Sequence, residues 1–360
     1  MNYKLDLYQS TVDSIHGCLA GGAIGDSFGL PYEGLTKKRA VKLLGYPFPN
    51  KLLFGYGMLS DDTEHACMTA ISLIQSSGHP RLFEKALINQ LRSWFLCLPP
   101  ATGFATAKAC FKSLIGIPST RIAANSAGNG TAMRAAVIGC TIKNTDQIKR
   151  LIKISSRLTH ADQRSEQGAL LIALGARWSC TNANKDFNGF FDFLGTSIEL
   201  PCDSAFAEGI LSLQDSLLKK ENTQFFAQSI GSSHGVSGFI VPTTLVALHA
   251  WLANLNHFEN TIIESILCGG DTDTVAAIAG SLAGAYVGFH NIPDKFGKKI
   301  IDYPFSYNRL SLLANSLSYI PSKKSIRPWL GKSWFLLPLR NFAFAFIVLL
   351  HVLRRMMPPY

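Results

Sequence analysis

Apolar residues recur at spacings of three and four along much of the chain. That recurrence predicts helices over 64–74, 82–96, 148–158, 167–178 and 241–255, because side chains three or four apart share one helix face. Runs of strict period-two alternation are scarce, and no Asn-Gly hairpin joins two β-rich runs; the predicted class is therefore all-α. The small-residue run 276–285, with Gly280 and Gly284, predicts a helix that its neighbours approach closely. Connections are marked by Pro31, Pro47, Pro49, Pro99-Pro100, Pro118, 128–130, Pro242 and Gly269-Gly270. They read as short links inside one domain, and no short-period repeat interrupts them.

Composition narrows the picture. The chain has 360 residues, 47% hydrophobic and 16% charged, enough for a sizeable core and unlike a disordered chain. Its eight cysteines are scattered without a C-x-x-C pair, which fits reduced thiols in a cytoplasmic protein. Residues 1–12 lack the apolar run of a secretion signal. The net charge of +10 is unevenly placed: eleven Lys/Arg face two Asp/Glu from Asn291 onward, against 23 and 22 before it. A nucleic-acid surface needs basic residues across the folded body, so no nucleic-acid partner is expected. The expected division is a catalytic body at 1–310 and, at 311–360, a basic linker leading to an apolar C-terminal helix.

Four motifs carry candidate chemistry. Gly25-Asp26-Ser27-Phe28-Gly29 leads through Pro31 to Glu33; Ser60-Asp61-Asp62-Thr63 precedes a helical run; Gly128-Asn129-Gly130 continues to Met133-Arg134; Gly269-Gly270 precedes Asp271-Thr272-Asp273-Thr274. Ser60 suits a helix N-cap, and Asp and Thr suit a first turn. A cap needs one oxygen, however, and Asp61, Asp62, Asp271 and Asp273 are four anions among apolar neighbours. If they converge, a hard divalent cation removes their repulsion, and all-oxygen ligands suit Mg²⁺, Mn²⁺ or Ca²⁺ in place of Zn²⁺. Glu33 is read as a loop carboxylate able to face a substrate. Backbone N–H groups of the 128–134 loop can cradle a phosphate, with Arg134 pairing to one. His160 is read as lining the substrate or lying just behind it.

In this order the motifs resemble those of the ADP-ribosylglycohydrolase family, over about His16 to Gly288. Gly-Gly-Asp-Thr-Asp-Thr followed by 275–280 carries the resemblance most specifically. It implies an all-α orthogonal multi-helix bundle with a central binuclear metal cleft. It also implies two Mg²⁺ (or Mn²⁺) ions held by Ser60, Asp61, Asp62, Asp271, Asp273 and Thr274. Glu33 and Asp62 would be catalytic, and Gly128, Asn129, Gly130, Met133, Arg134 and His160 would bind substrate. The implied reaction is hydrolysis of the glycosidic bond of an ADP-ribosylated protein or a small ADP-ribose derivative. Arginine, serine, thymidine, guanine and O-acetyl linkages are all compatible with it. The loop 99–104 has no acidic residue before Gly103, where arginine-directed relatives carry one. The alternatives are a non-catalytic, crystallin-like or ADP-ribose-binding member, and a metal-dependent phosphoesterase.

At the C-terminus, 334–353 is nearly all apolar, broken by Pro338, Arg340, Asn341 and His351. A helix from Pro338 to Arg355 would span about 27 Å, marginal for a bilayer. On a helical wheel Arg340, His351, Arg354 and Arg355 share one side, which suits an interfacial helix and a membrane surface as partner through 334–355. The other reading is a terminal helix packed on the body. On the interfacial reading, removing 334–360 leaves hydrolysis intact.

Overall fold

The computed structural model describes residues 2–181, 186–197, 203–320 and 336–358. Cys202 and the basic linker residues 321–335 lie outside them. Among the described residues eighteen α-helices follow one another: α1 (Asn2–Gly29), α2 (Lys37–Leu44), α3 (Asp61–Ser76), α4 (Pro80–Leu96), α5 (Phe104–Leu114) and α6 (Ser119–Ile122). Then come α7 (Ala136–Thr141), α8 (Thr145–Arg157), α9 (Gln163–Ser179), α10 (Phe187–Ser197), α11 (Ser204–Leu218) and α12 (Thr223–Ser229). The last six are α13 (Ile240–Leu252), α14 (Phe258–Leu267), α15 (Thr272–Val287), α16 (Asp294–Gly297), α17 (Tyr307–Ser318) and α18 (Leu337–Arg355). Among the described residues there is no strand, only isolated bridges, as the spacing predicts. The seven described cysteines are all thiols.

The five periodic segments fall on α3, α4, α8, α9 and α13, with 241–255 running past the end of α13 at Leu252 and 148–158 one residue past α8. Helix α8 shows why: Ile148, Leu151, Ile152 and Ser155 are buried and fall on one stripe at helical spacing, while its lysines face outward. Helix α15 differs. All its residues from Thr272 to Ala285 are buried, because α1, α14, α13 and α9 surround it.

The pairing of α1 with α15 sets the geometry of the molecule. On α1, Gly17, Gly21, Gly25 and Gly29 recur every fourth residue, making one bare stripe. A Cβ added to Gly17 would lie 2.0 Å from the Gly284 carbonyl oxygen, at Gly21 2.2 Å from that of Gly280, and at Gly25 1.9 Å from that of Ala276. The helices thus meet backbone to backbone and run antiparallel. The end of α1 that carries Asp26 comes to rest beside the start of α15. The division expected at 310 falls inside α17, whose Leu310, Ala314 and Leu317 belong to the main core.

Candidate active site

The first acidic motif is organised from below by α1. Asp26 is fully buried and accepts hydrogen bonds from the Ser60 amide at 3.0 Å, the Thr63 amide at 3.2 Å and the Thr63 hydroxyl at 2.5 Å. It anchors the start of α3 from outside that helix. Burial pushes its carboxyl up to about 6, against the pull of those donors. The motif alone assigns Asp26 no role. Its signal is a carboxylate directly after the uncharged run 20–25, where an unpaired charge is costly. Ser60 is the N-cap of α3, accepting from the Asp62 amide at 3.2 Å, as the motif predicts.

The second motif reaches the same place from the other end of the chain. Gly269 and Gly270 have φ of +74° and +81°, the left-handed region that favours glycine. A Cβ on Gly270 would also lie 2.1 Å from the Val236 carbonyl oxygen. Hydrogen bonds fix this turn between two loops: the Gly270 amide to Leu35 O, the Gly34 amide to Gly270 O and the Asp271 amide to Val236 O. The turn carrying Glu33 and the turn before Asp271 are therefore laced together. Asp271 occupies the N-cap position of α15 without capping it; its Oδ2 accepts instead from Asn129 Nδ2 at 2.7 Å.

The two motifs touch. Thr274 Oγ1 donates to Asp62 Oδ2 at 3.1 Å across 212 residues of sequence, and Ser60 Oγ donates to the same oxygen at 3.2 Å. Burial first, and neighbouring carboxylates second, hold Asp61, Asp62 and Asp273 well above the ordinary carboxylate range. Burial and then Asp271 also raise Glu33. Asp62 Oδ1 and Asp273 Oδ1 are buried with no hydrogen-bond partner. Unpaired buried anions of this kind fit a hard divalent cation. Among the described residues no group of three or more His, Cys, Asp or Glu forms a ready-made metal cage. A bound ion would therefore draw on the Ser60 and Thr274 hydroxyls as well.

Glu33, Ser60, Asp61, Asp271, Asp273 and Thr274 line a cavity of about 590 Å³, and Asp62 is not among its lining residues. Gly128, Asn129, Gly130, Met133 and His160 line another side. A Cβ on Gly128 would lie 3.0 Å from His160 Nε2, and one on Gly130 3.2 Å from its Cε1, so the ring needs both glycines bare. His160 shares a hydrogen bond with Thr159 Oγ1 through Nδ1 at 2.8 Å. Burial, with Arg134 nearby, pulls it down to about 3, leaving it neutral. Two amides expected to cradle phosphate are engaged within the protein, Gly128 N with Ser126 Oγ and Asn129 N with Gly238 O.

Arg134 departs from its expected role. It is fully buried and turned away from the cavity. Its guanidinium donates to Ser155 Oγ and O and to Thr159 Oγ1, and contacts His65 Nδ1. Those acceptors hold it among α3, α8 and the loop beyond, where it fixes the 3-10 turn Asn129–Arg134 in place of a phosphate.

The C-terminal helix packs on the body. Three residues of its basic side, Arg340, His351 and Arg355, face the protein, and Arg354 is exposed. Arg340 is buried against Asp302 at 2.6 Å and Glu64 at 3.1 Å, and donates to Leu59 O. His351 contacts Leu52 O, and Arg355 donates to Leu30, Pro31 and Glu33 carbonyls. Burial lowers Arg355 while Glu33 and Asp273 pull it back up. Buried carboxylates and carbonyls offered these cations partners that no helical wheel displays. The outward face is apolar, with Leu339 68% and Phe342 75% exposed. Phe344, packed with Leu30 and Leu52, joins Ala345, Val348, Leu349 and Val352 in lining the cavity.

A family model described as ADP-ribosylglycohydrolase matches residues 8–322. An uncharacterized protein of Archaeoglobus fulgidus is 28% identical over 302 residues, 81% of this chain and 93% of that one. ADP-ribosylhydrolase ARH3 of Mus musculus is 26% identical over 327 residues, 79% of this chain and 87% of its own length. ADP-ribosyl-[dinitrogen reductase] glycohydrolase of Rhodospirillum rubrum is 23% identical over 299 residues, covering 81% and 91%. Among solved structures, a chain titled ADP-ribosylglycohydrolase-related protein complex aligns with a TM-score of 0.64. It covers 88% of this chain and 100% of that one at 24% identity, a likeness of fold.

Proposed function

The chain belongs to the ADP-ribosylglycohydrolase family, and from that premise we propose that it hydrolyses the glycosidic bond of ADP-ribose conjugates with two divalent ions, Mg²⁺ or Mn²⁺. One observation carries the reading. Thr274, which lines the cavity, donates to the buried Asp62 at 3.1 Å, and two buried carboxylate oxygens, one on Asp62 and one on Asp273, lack partners.

Ser60, Asp61, Asp62, Asp271, Asp273 and Thr274 would hold the ions. Bound there, the ions supply positive charge for the ribose hydroxyls and lower the pKa of water towards neutrality. Asp62 is held by two hydroxyls on one oxygen, and its other oxygen has no partner. Asn129 holds Asp271 through Oδ2. Glu33 sits on a turn whose carbonyls are clamped by Arg355. Its carboxyl is raised by burial, as a proton donor to a leaving group requires. An oxocarbenium-like transition state would gain from the carboxylates around it. The neutral His160 and the glycines beside it offer a close-fitting surface for the ADP-ribose moiety.

The test is a panel of ADP-ribosylated proteins and small ADP-ribose derivatives, assayed with and without chelator and read by chromatography. Free ADP-ribose that disappears with chelator is the expected product. Release of phosphate or AMP would assign a phosphoesterase. Binding without any product would assign a non-catalytic role.

A further inference from the structure

The family match ends at residue 322, and α18 lies wholly beyond it. Yet four polar side chains pin α18 to the body. Arg340 holds Asp302, Glu64 and the carbonyl of Leu59, the residue before the Ser60 cap. Asn341 donates to Cys97 O at 2.8 Å and His351 contacts Leu52 O. Arg355 donates to the Leu30 and Pro31 carbonyls at 3.1 Å each, and to that of Glu33 itself. These carbonyls lie where α1 ends in the 3-10 turn Leu30–Tyr32, at the negative end of the helix dipole, where a cation is favoured. Between the two arginines, Phe344 and Val348 line the same cavity as Glu33, Asp271 and Asp273.

We propose that α18 is a wall of the active site, with Arg355 as the positioning residue that fixes the Glu33 turn and Val348 as part of the surface against which substrate packs. This rests on the glycohydrolase reading above. Without Arg355 the Glu33 turn keeps its bonds to Gly270 but loses the fork that holds its other carbonyls. A shift of about 1 Å in a reacting group costs on the order of a hundredfold in rate. Lysine supplies the charge to those carbonyls but not the planar fork.

The experiment uses the full chain carrying Arg355→Gln, Arg355→Lys, Val348→Trp or Val348→Ala, with Phe342→Ala as a control on the outward face. It measures kcat and KM on a cleaved conjugate, binding of ADP-ribose by calorimetry, and melting temperature. Arg355→Gln is expected to lower kcat roughly ten- to a hundredfold with KM and melting temperature little changed, and Arg355→Lys to restore part of it. Val348→Trp is expected to weaken ADP-ribose binding about tenfold by filling the cavity, Val348→Ala to bind with altered affinity, and Phe342→Ala to bind as wild type. Wild-type kcat in Arg355→Gln overturns the positioning role. Unchanged ADP-ribose binding in both Val348 variants overturns the wall. If the wild type cleaves no conjugate, hydrolysis is lost, but weakened ADP-ribose binding in Val348→Trp alone still supports the wall.

Discussion

Asp273 carries the clearest prediction at the scale of one residue. Its carboxylate is buried among Glu33, Asp271 and Asp62, and one oxygen has no partner. An amide there would relieve like-charge repulsion while offering a poorer metal ligand. Asp273→Asn is therefore expected to melt higher than wild type in chelator. It should lose the stabilisation that Mg²⁺ or Mn²⁺ gives wild type, and lose turnover with it. A variant that melts lower in chelator and still gains from metal would contradict the site. Arg134 makes the opposite case. Its side chain satisfies Ser155, Thr159 and His65 in the interior, and charged hydrogen bonds of this kind contribute roughly 1.5–3 kcal/mol each. Arg134→Met is expected to lower unfolding free energy in urea by several kcal/mol, and an unfolding curve like that of wild type would count against this interior role. The acids were legible in the sequence because four anions in apolar surroundings demand an explanation. The true place of Arg134 was not, because its partners are hydroxyls and carbonyls that every helix owns.

Among the helices, the α1–α15 contact leaves the least room. Gly25→Ala would put a methyl 1.9 Å from the Ala276 carbonyl oxygen, and backbone cannot give way as a side chain can. Overpacking commonly costs about 1–3 kcal/mol. The expected loss is at or above that range, with activity falling in parallel because Asp26 and Asp273 separate; an unfolding curve like that of wild type would refute the close approach. Half of this contact could be read beforehand, since the run 276–285 announces small residues. Its partner could not, because a stripe of glycines does not name what it faces. Helices α11, α12 and α13 are tied by His249, which meets Ser216 and Thr223 and stacks on Phe226. Burial pulls His249 down to about 4 from 6.5. A histidine lowered by folding binds its proton more readily in the unfolded chain, so its contribution is full above about pH 6.5 and falls as pH drops towards 4. The stability gap between wild type and His249→Gln should shrink over that interval by up to roughly 3 kcal/mol. A gap independent of pH would show that the ring is not buried neutral.

At the scale of the whole molecule, the uneven charge takes on a different meaning. Of the basic residues after Asn291, Arg340 and Arg355 are spent on internal acceptors, and apart from Arg354 what α18 offers outward is apolar. The all-α class and the periodic helices were available from spacing alone. The facing of α18 was not, since it is decided by Glu64 and Asp302, residues far from it in the chain. A patch of exposed Leu339, Phe342, Phe346 and Leu350 lowers solubility in salt. Phe342→Ser with Leu350→Ser is expected to raise the ammonium sulfate concentration needed for precipitation while melting temperature and turnover stay as in wild type. Loss of folding in that pair would mean the face is covered.

The glycine stripe also divides the protein into natural halves. A cut anywhere between residues 77 and 268 leaves Asp26, Asp61 and Asp62 on one fragment and Asp271 and Asp273 on the other. Each piece would carry a strip of bare backbone shaped only for its counterpart. Fragments expressed separately should thus be silent alone and regain turnover when mixed, a complementation pair whose signal reports the zipping of two helices.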